Sequence, residues 1–204
     1  MVKFGQKMQT NFLVKPLNIK FDLNYALDYL HTLETKFNHL RWNADDNLSL
    51  VNDAEYQESI KGVYGWGIQS NLDNLTIPCP PYNIHKQGSD KYRNTPLVFG
   101  FAEWLLEQFP LARQMAIAAH PPGTKIRTHV DTDTWLKIHI PLISTNNSYF
   151  IFDEQKFIME PGTMYFVNTS VPHSTSNDGN GVRIHLLFKM PADVLIEQLG
   201  KLDD

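Results

Sequence analysis

The chain carries a single cysteine, Cys79, among its 204 residues, so no disulfide can form within it and a reducing compartment is its natural setting. Cys79 lies in Pro78-Cys79-Pro80-Pro81 and reads as a packing residue. No apolar run is long enough to span a bilayer, and Met1 to Lys15 lacks the apolar stretch of a secretory leader. The expected location is therefore cytoplasmic, with no membrane partner. A surplus of basic residues is missing too: 18 Lys and Arg stand against 22 Asp and Glu, a formal net charge of −4. That argues against a non-specific nucleic-acid surface, which needs clustered cations to displace counterions. Internal repeats, low-complexity tracts, linkers and strongly charged tails are also lacking. One domain over residues 1–204 is expected, large enough to bury a core without staples.

Two helices are legible. Leu23, Ala26, Leu27, Leu30, Leu33, Phe37 and Leu40 recur at helical spacing, which predicts a helix over Asn24–Leu40 with Asp22 as its N-cap. Thr95-Pro96 reads as the cap and first position of a second helix, which carries Leu97, Phe101, Trp104, Leu105 and Phe109 and stops at Pro110. Between them, Arg41 to Asn94 is rich in Gly, Asn, Pro and aromatics and reads as loops and short strands. Gly62, Gly65 and Gly67 there suggest bends or close backbone approach.

After Pro110 short strands follow one another: Ala112–His120, Thr124–Asp131, Thr134–Leu142, Ser148–Asp153, Gln155–Glu160, Thr163–Val167, Val171–Ser174 and Val182–Met190. Turn residues such as Pro121-Pro122-Gly123 and Asp178-Gly179-Asn180-Gly181 separate most of them, which predicts a β-sandwich or barrel. The expected division is helices and substrate-side loops over 1–110, a β core over 111–190, and a short closing helix and tail over 191–204. Period-2 alternation gives the last strand an aliphatic face (Val182, Ile184, Leu186, Phe188, Met190) and a face with Arg183, His185, Leu187 and Lys189. In Thr134–Leu142, likewise, Leu136, Ile138, Ile140 and Leu142 oppose Trp135, Lys137, His139 and Pro141. The aliphatic sides should pack on helices, and the basic, aromatic sides suit a pocket for an anion.

His129-Val130-Asp131 puts an imidazole and a carboxylate on one side of a strand end. Alone, the pair is weak evidence. His173 lies far along the chain, where a later strand can bring it back to that pair. Two histidines and one carboxylate make a facial triad that leaves positions open on Fe(II). Arg183 follows His173 by ten residues on the basic face, and its guanidinium can grip a carboxylate at two points. His185 is placed to brace the pocket, and His120, Asn168 and Asn177 to line or brace it. His31, His39 and His85 have no such context.

With these runs in place, the chain resembles the aspartyl/asparaginyl β-hydroxylase family of Fe(II)/2-oxoglutarate oxygenases, which includes L-proline cis-4-hydroxylases. The resemblance is carried by Pro122-Gly123-Thr124, His129-Val130-Asp131, Lys137-Ile138-His139-Ile140-Pro141-Leu142, Pro161-Gly162-Thr163, His173 with Asn177, and Arg183-Ile184-His185-Leu186. It implies a double-stranded β-helix, the cupin-like jelly roll, with N-terminal helices packed on one sheet. It also implies that His129, Asp131 and His173 ligate iron, that Arg183 binds the distal carboxylate of 2-oxoglutarate, and that Lys137 and His139 sit near the other end. Membrane-anchored members of the family have glycine where this chain has Asp131, which aligns it with the proline-hydroxylase-like branch. Members often have arginine at the position of Lys137, and some have serine near Ala118.

The expected activity is a dioxygenase that uses Fe(II), 2-oxoglutarate and O₂ to hydroxylate a C–H bond of a free amino acid or similar small molecule. Trp135, with Trp66 and Tyr64, is a candidate wall on the substrate side. Arg127, Lys137 and His185 are candidates for the substrate carboxylate, and Asp45, Asp46, Asp53 and Asp73 for its ammonium. Two alternatives stay open: a hydroxylase of an Asp, Asn or Pro residue in a peptide or protein, and a cupin-like protein that binds a metal or small acid without turnover. Arg183 favours an oxygenase over the last of these.

Overall fold

The computed structural model describes residues 12–46, 54–71, 92–131, 135–191 and 194. In chain order it contains β1 (Val14–Pro16), α1 (Leu23–Lys36), a 3₁₀ turn (Asn38–Leu40), β2 (Trp42–Asn43), α2 (Ala54–Ser59), β3 (Tyr64–Gly67), β4 (Gln69–Asn71) and β5 (Tyr92–Asn94). Then come α3 (Phe101–Gln108), β6 (Arg113–His120), β7 (Lys125–His129), β8 (Trp135–Ile143), β9 (Ser148–Phe152), β10 (Gln155–Phe157), β11 (Tyr165–Val167), β12 (His173–Asn177) and β13 (Arg183–Pro191). No described helix is long and apolar enough to cross a membrane. Cys79, His85, Asp53, Asp73, the Trp135 side chain and most of the expected closing helix lie outside the described residues.

The strands form an antiparallel seven-stranded sheet, β1-β11-β8-β13-β6-β3-β2, and a four-stranded sheet, β10-β9-β12-β7, with β4 and β5 paired separately. Together the two larger sheets form the jelly roll. One face of the large sheet carries Leu136, Ile138, Ile140 and Leu142 of β8 with Ile184, Leu186, Phe188 and Met190 of β13. These pack with Ala26, Tyr29, Leu30 and Leu33 of α1 and Phe101, Ala102 and Leu105 of α3 in one buried cluster. Burying this aliphatic surface is the main stabilising term, roughly 1.5–3 kcal/mol per large side chain. The opposite face turns toward the small sheet, and a cavity lies between the two.

Several boundaries differ from the sequence reading. Asp22 does cap α1, its carboxylate accepting from the Asn24 N–H at 2.9 Å. The helix stops at Lys36, however, because Phe37 leaves helical geometry (φ −120°, ψ 20°), with its ring 5.4 Å from that of Phe99. The second helix starts at Phe101 rather than beside Thr95. The Thr95 hydroxyl does accept from the Leu97 N–H, but it also reaches back to the carbonyls of Gly67 and Ile68, and Gly100 (φ 55°) makes the bend into the helix. β1 is not expected as a strand from the sequence; it joins the large sheet together with β2 and β3, which lie in the Arg41–Asn94 segment where short strands are expected. Gly65 is needed in β3, since a Cβ there would lie 1.8 Å from the Ile117 carbonyl oxygen.

Candidate metal centre and cavity

His129 ends β7 and His173 begins β12, and the two are cross-strand partners. A register irregularity follows His173, and the imidazole rings lie 4.3 Å apart, centroid to centroid. Asp131 is held two residues beyond β7 by its backbone N–H, which donates to the Thr169 carbonyl at 2.9 Å. One donor atom from each of His129, Asp131 and His173 falls within 4.8 Å of the others, a spacing that can hold a metal ion.

Both histidines place Nδ1 against the carbonyl two residues earlier, His129 on Arg127 at 2.9 Å and His173 on Val171 at 3.0 Å. A carbonyl can only accept, so each Nδ1 carries the proton and each Nε2 keeps its lone pair for a metal. Burial lowers the pKa of both rings, His173 to about 4, so they are neutral at physiological pH. For Asp131, 3% exposed, burial alone would raise the pKa, but the adjacent Lys137 ammonium outweighs it and holds the carboxyl well below its usual range. Two neutral imidazoles and an ionised carboxylate form a donor set that fits a divalent metal with open positions.

The cavity beside this cluster draws on both sheets. Lys137 and His139 of β8 and Arg183, His185, Leu187 and Lys189 of β13 line it, facing Phe150 of β9 and Thr175 of β12. Arg183 is 4% exposed, and burial pushes its guanidinium down to about 9, still cationic at neutral pH. Its Nη1 donates to His120 Nδ1 at 3.1 Å and its Nη2 to His185 Nδ1 at 3.2 Å, and the group lies over the Phe150 ring at 5.1 Å. Among the described residues no carboxylate pairs with it. His185 Nε2 and both ring nitrogens of His139 are buried without hydrogen-bond partners there. A buried cation and unmet polar atoms in one cavity are costly unless an anion joins them.

Other candidates fall elsewhere. Asn177 is fully buried and staples the turn ahead of β13, its amide donating to the His120 and Gly181 carbonyls at 2.8 and 2.9 Å. Asn168 accepts from the Ser170 hydroxyl at 2.6 Å, shaping the loop that leads to His173. Arg127 is partly exposed, 3.9 Å from Glu55, and neither it nor the two asparagines is among the cavity-lining residues. Asp45 accepts from the Gly62 N–H and Asp46 from the Asn43 amide, both outside the lining. Trp66 does not wall the cavity: it is buried in the helix-side core with its indole N–H on the Phe37 carbonyl, and Tyr64 packs on the same side. The alternation of β3 puts its glycines, not its aromatics, on the other face. Ile60, Val63 and Ile126 supply an apolar wall instead. The sequence reading missed this wall and Phe150, although the alternation Ser148, Phe150, Phe152 was a signal for the latter.

Residues 85–192 match the family described as aspartyl/asparaginyl beta-hydroxylase. No curated protein sequence matches the chain. Among solved structures it is similar to a prolyl-4-hydroxylase from Pseudomonas putida, with 14% identity over 87% of this chain and 92% of that one and a TM-score of 0.47. It is also similar to an oxidoreductase of the 2OG-Fe(II) oxygenase family from Burkholderia pseudomallei, with 12% identity over 80% and 89% of the two chains and a TM-score of 0.44. A predicted oxalate decarboxylase from Thermotoga maritima shares 21% identity over 42% of this chain and 71% of its own, with a TM-score of 0.35. The family match spans more than half of the chain and contains the whole His129–Asp131–His173 cluster together with Arg183. The chain belongs to the aspartyl/asparaginyl β-hydroxylase family, and within the matched segment it brings together three residues that can hold a metal ion.

Proposed function

We propose that the protein hydroxylates a free amino acid or a similarly small molecule, with His129, Asp131 and His173 holding iron and Arg183 gripping the distal carboxylate of 2-oxoglutarate. The observation that carries this reading is a buried guanidinium without an acidic partner among the described residues, in the same cavity as a three-donor metal cluster. When bound, iron with 2-oxoglutarate and O₂ supplies oxidation of a C–H bond, with loss of CO₂ and formation of succinate.

The chain's own groups bind, orient and exclude water. Each ligating imidazole is fixed in one tautomer by its Nδ1–H bond to a carbonyl. Arg183 offers further N–H donors beyond the two used on His120 and His185. Lys137 and His139 stand at the metal-proximal end, where the co-substrate's second acid group would need partners. His139 brings two unmet ring nitrogens there, and Lys137 a cation already at Asp131. The chain works as one domain, with Ile60 and Val63, from the link between α2 and β3, lining the cavity.

A small substrate is supported by the make-up of the lining. Ile60, Val63 and Ile126 bring apolar surface into the same cavity as Lys137, Arg183 and the metal cluster, a combination suited to covering an aliphatic body while a few polar groups fix its orientation. The test is to incubate the Fe(II) protein and 2-oxoglutarate with free proteinogenic amino acids, proline first, following succinate by NMR and product mass. A product heavier by one oxygen, with equal succinate, supports the reading. Turnover of peptides but of no free amino acid would replace it with the peptide-hydroxylase alternative. Metal and acid binding without succinate on either panel would favour a binding protein.

A further inference from the structure

We propose that His120 and His185 are positioning residues that hold the Arg183 guanidinium with uncharged acceptors, so that its charge stays available to the distal carboxylate of the co-substrate. The inference rests on the reading of Arg183 as co-substrate anchor.

A guanidinium can only donate, so both imidazoles must accept through Nδ1 and carry their proton on Nε2. His120 comes from β6 and His185 from β13, neighbouring strands of the large sheet, while Phe150 supports the group from β9 of the small one. Contacts from three strands fix the plane of the fork. Burial, with the Arg183 charge added to it, drives both pKa values far down and keeps both acceptors neutral. A carboxylate in either place would bond the fork more strongly, but it would also cancel the charge on which an incoming anion depends. His185 gains a second role from the same tautomer: its buried Nε2–H, without a partner among the described residues, is a donor on the cavity wall.

The experiment is calorimetric titration of 2-oxoglutarate into Mn(II)-loaded protein, with no turnover, for His120→Leu, His120→Asn and His120→Asp. Leucine removes the acceptor and should weaken binding about tenfold, the scale of a hydrogen bond to a charged group. Mn(II) affinity should stay unchanged. Asparagine restores a neutral acceptor and should recover most of the affinity. Aspartate restores an acceptor but cancels the charge, and should bind 2-oxoglutarate more weakly than asparagine does. A purely structural role for His120 would not separate Asn from Asp in this way.

The inference is overturned if Leu and Asn bind like the parent, or if Asp binds as tightly as Asn. Should His120→Asp not fold, as judged by circular dichroism, the same three substitutions at His185 decide the matter, and the Leu and Asn pair at His120 stands independently. Arg183→Lys runs alongside. If it binds 2-oxoglutarate like the parent, the anchor reading itself fails; if it binds weakly while the His120 series is flat, only the positioning role fails.

Discussion

His173 stands directly across the β12–β7 ladder from His129, and each turns Nδ1 to the carbonyl two residues before it, at 3.0 and 2.9 Å. The two imidazoles thus present the same nitrogen, Nε2, toward Asp131. His173→Ala should lower Mn(II) or Fe(II) affinity by at least about 100-fold, beyond what the loss of a supporting group costs. The far-UV spectrum should be retained, because the main core lies on the other face of the large sheet. Undiminished metal stoichiometry in this variant would refute the ligand assignment.

Metal binding should tolerate mild acid. An imidazole must be neutral to ligate, and a lowered pKa moves proton competition to lower pH. With His173 at about 4 and His129 also lowered, affinity should hold as pH falls through 6.5 and weaken on the approach to 4. Mn(II) titrations followed by electron paramagnetic resonance would show this. A midpoint near 6.5 would mean that the rings are not buried as described.

Stability of the metal-free protein should rise with pH. His120, His139 and His185 have folded pKa values pushed well below the ordinary 6.5 by burial, with Arg183 adding to the effect and Lys137 acting on His139. Below 6.5 the unfolded chain binds the extra protons, so the stability is present above that pH and is lost progressively beneath it. Each such histidine removes up to about 1.4 kcal/mol per pH unit. Urea unfolding at pH 7.5, 6.5 and 5.5 measures the slope. A flat profile would contradict neutral buried histidines.

Arg183→Lys keeps a cation but loses the planar fork. Affinity for 2-oxoglutarate should fall by at least about tenfold, roughly 1.4 kcal/mol, with metal binding little changed. Calorimetry on Mn(II)-loaded protein reads both quantities. Parent-like binding would place the anchor elsewhere.

Gly65→Ala should destabilise the fold by about 3 kcal/mol or more, since the added Cβ meets the Ile117 backbone at 1.8 Å and Trp42 at 2.9 Å. Chemical denaturation would show a lower midpoint. The same shift would disturb β6, which carries His120, so co-substrate affinity should fall as well.

What the sequence by itself determined is what covalent geometry makes local. Alternation along β8 and β13 separated the aliphatic face from Lys137, His139, Arg183, His185 and Lys189, and the structure keeps that separation. Two-residue spacing placed His129 and Asp131 together, and Asp22 marked the start of α1. Tertiary structure decided what depends on which distant segments meet. The pairing of His173 with His129, the clasp between Arg183 and His120 across 63 residues, and the burial of Trp66 beneath α1 and α3 instead of in the cavity all follow from strand order and register. So does the late start of α3, where the Thr95 hydroxyl is tied to carbonyls 27 and 28 residues away. Periodicity says which residues share a face. Only the closing of one sheet on another, driven by burial of the whole apolar surface, says what that face meets.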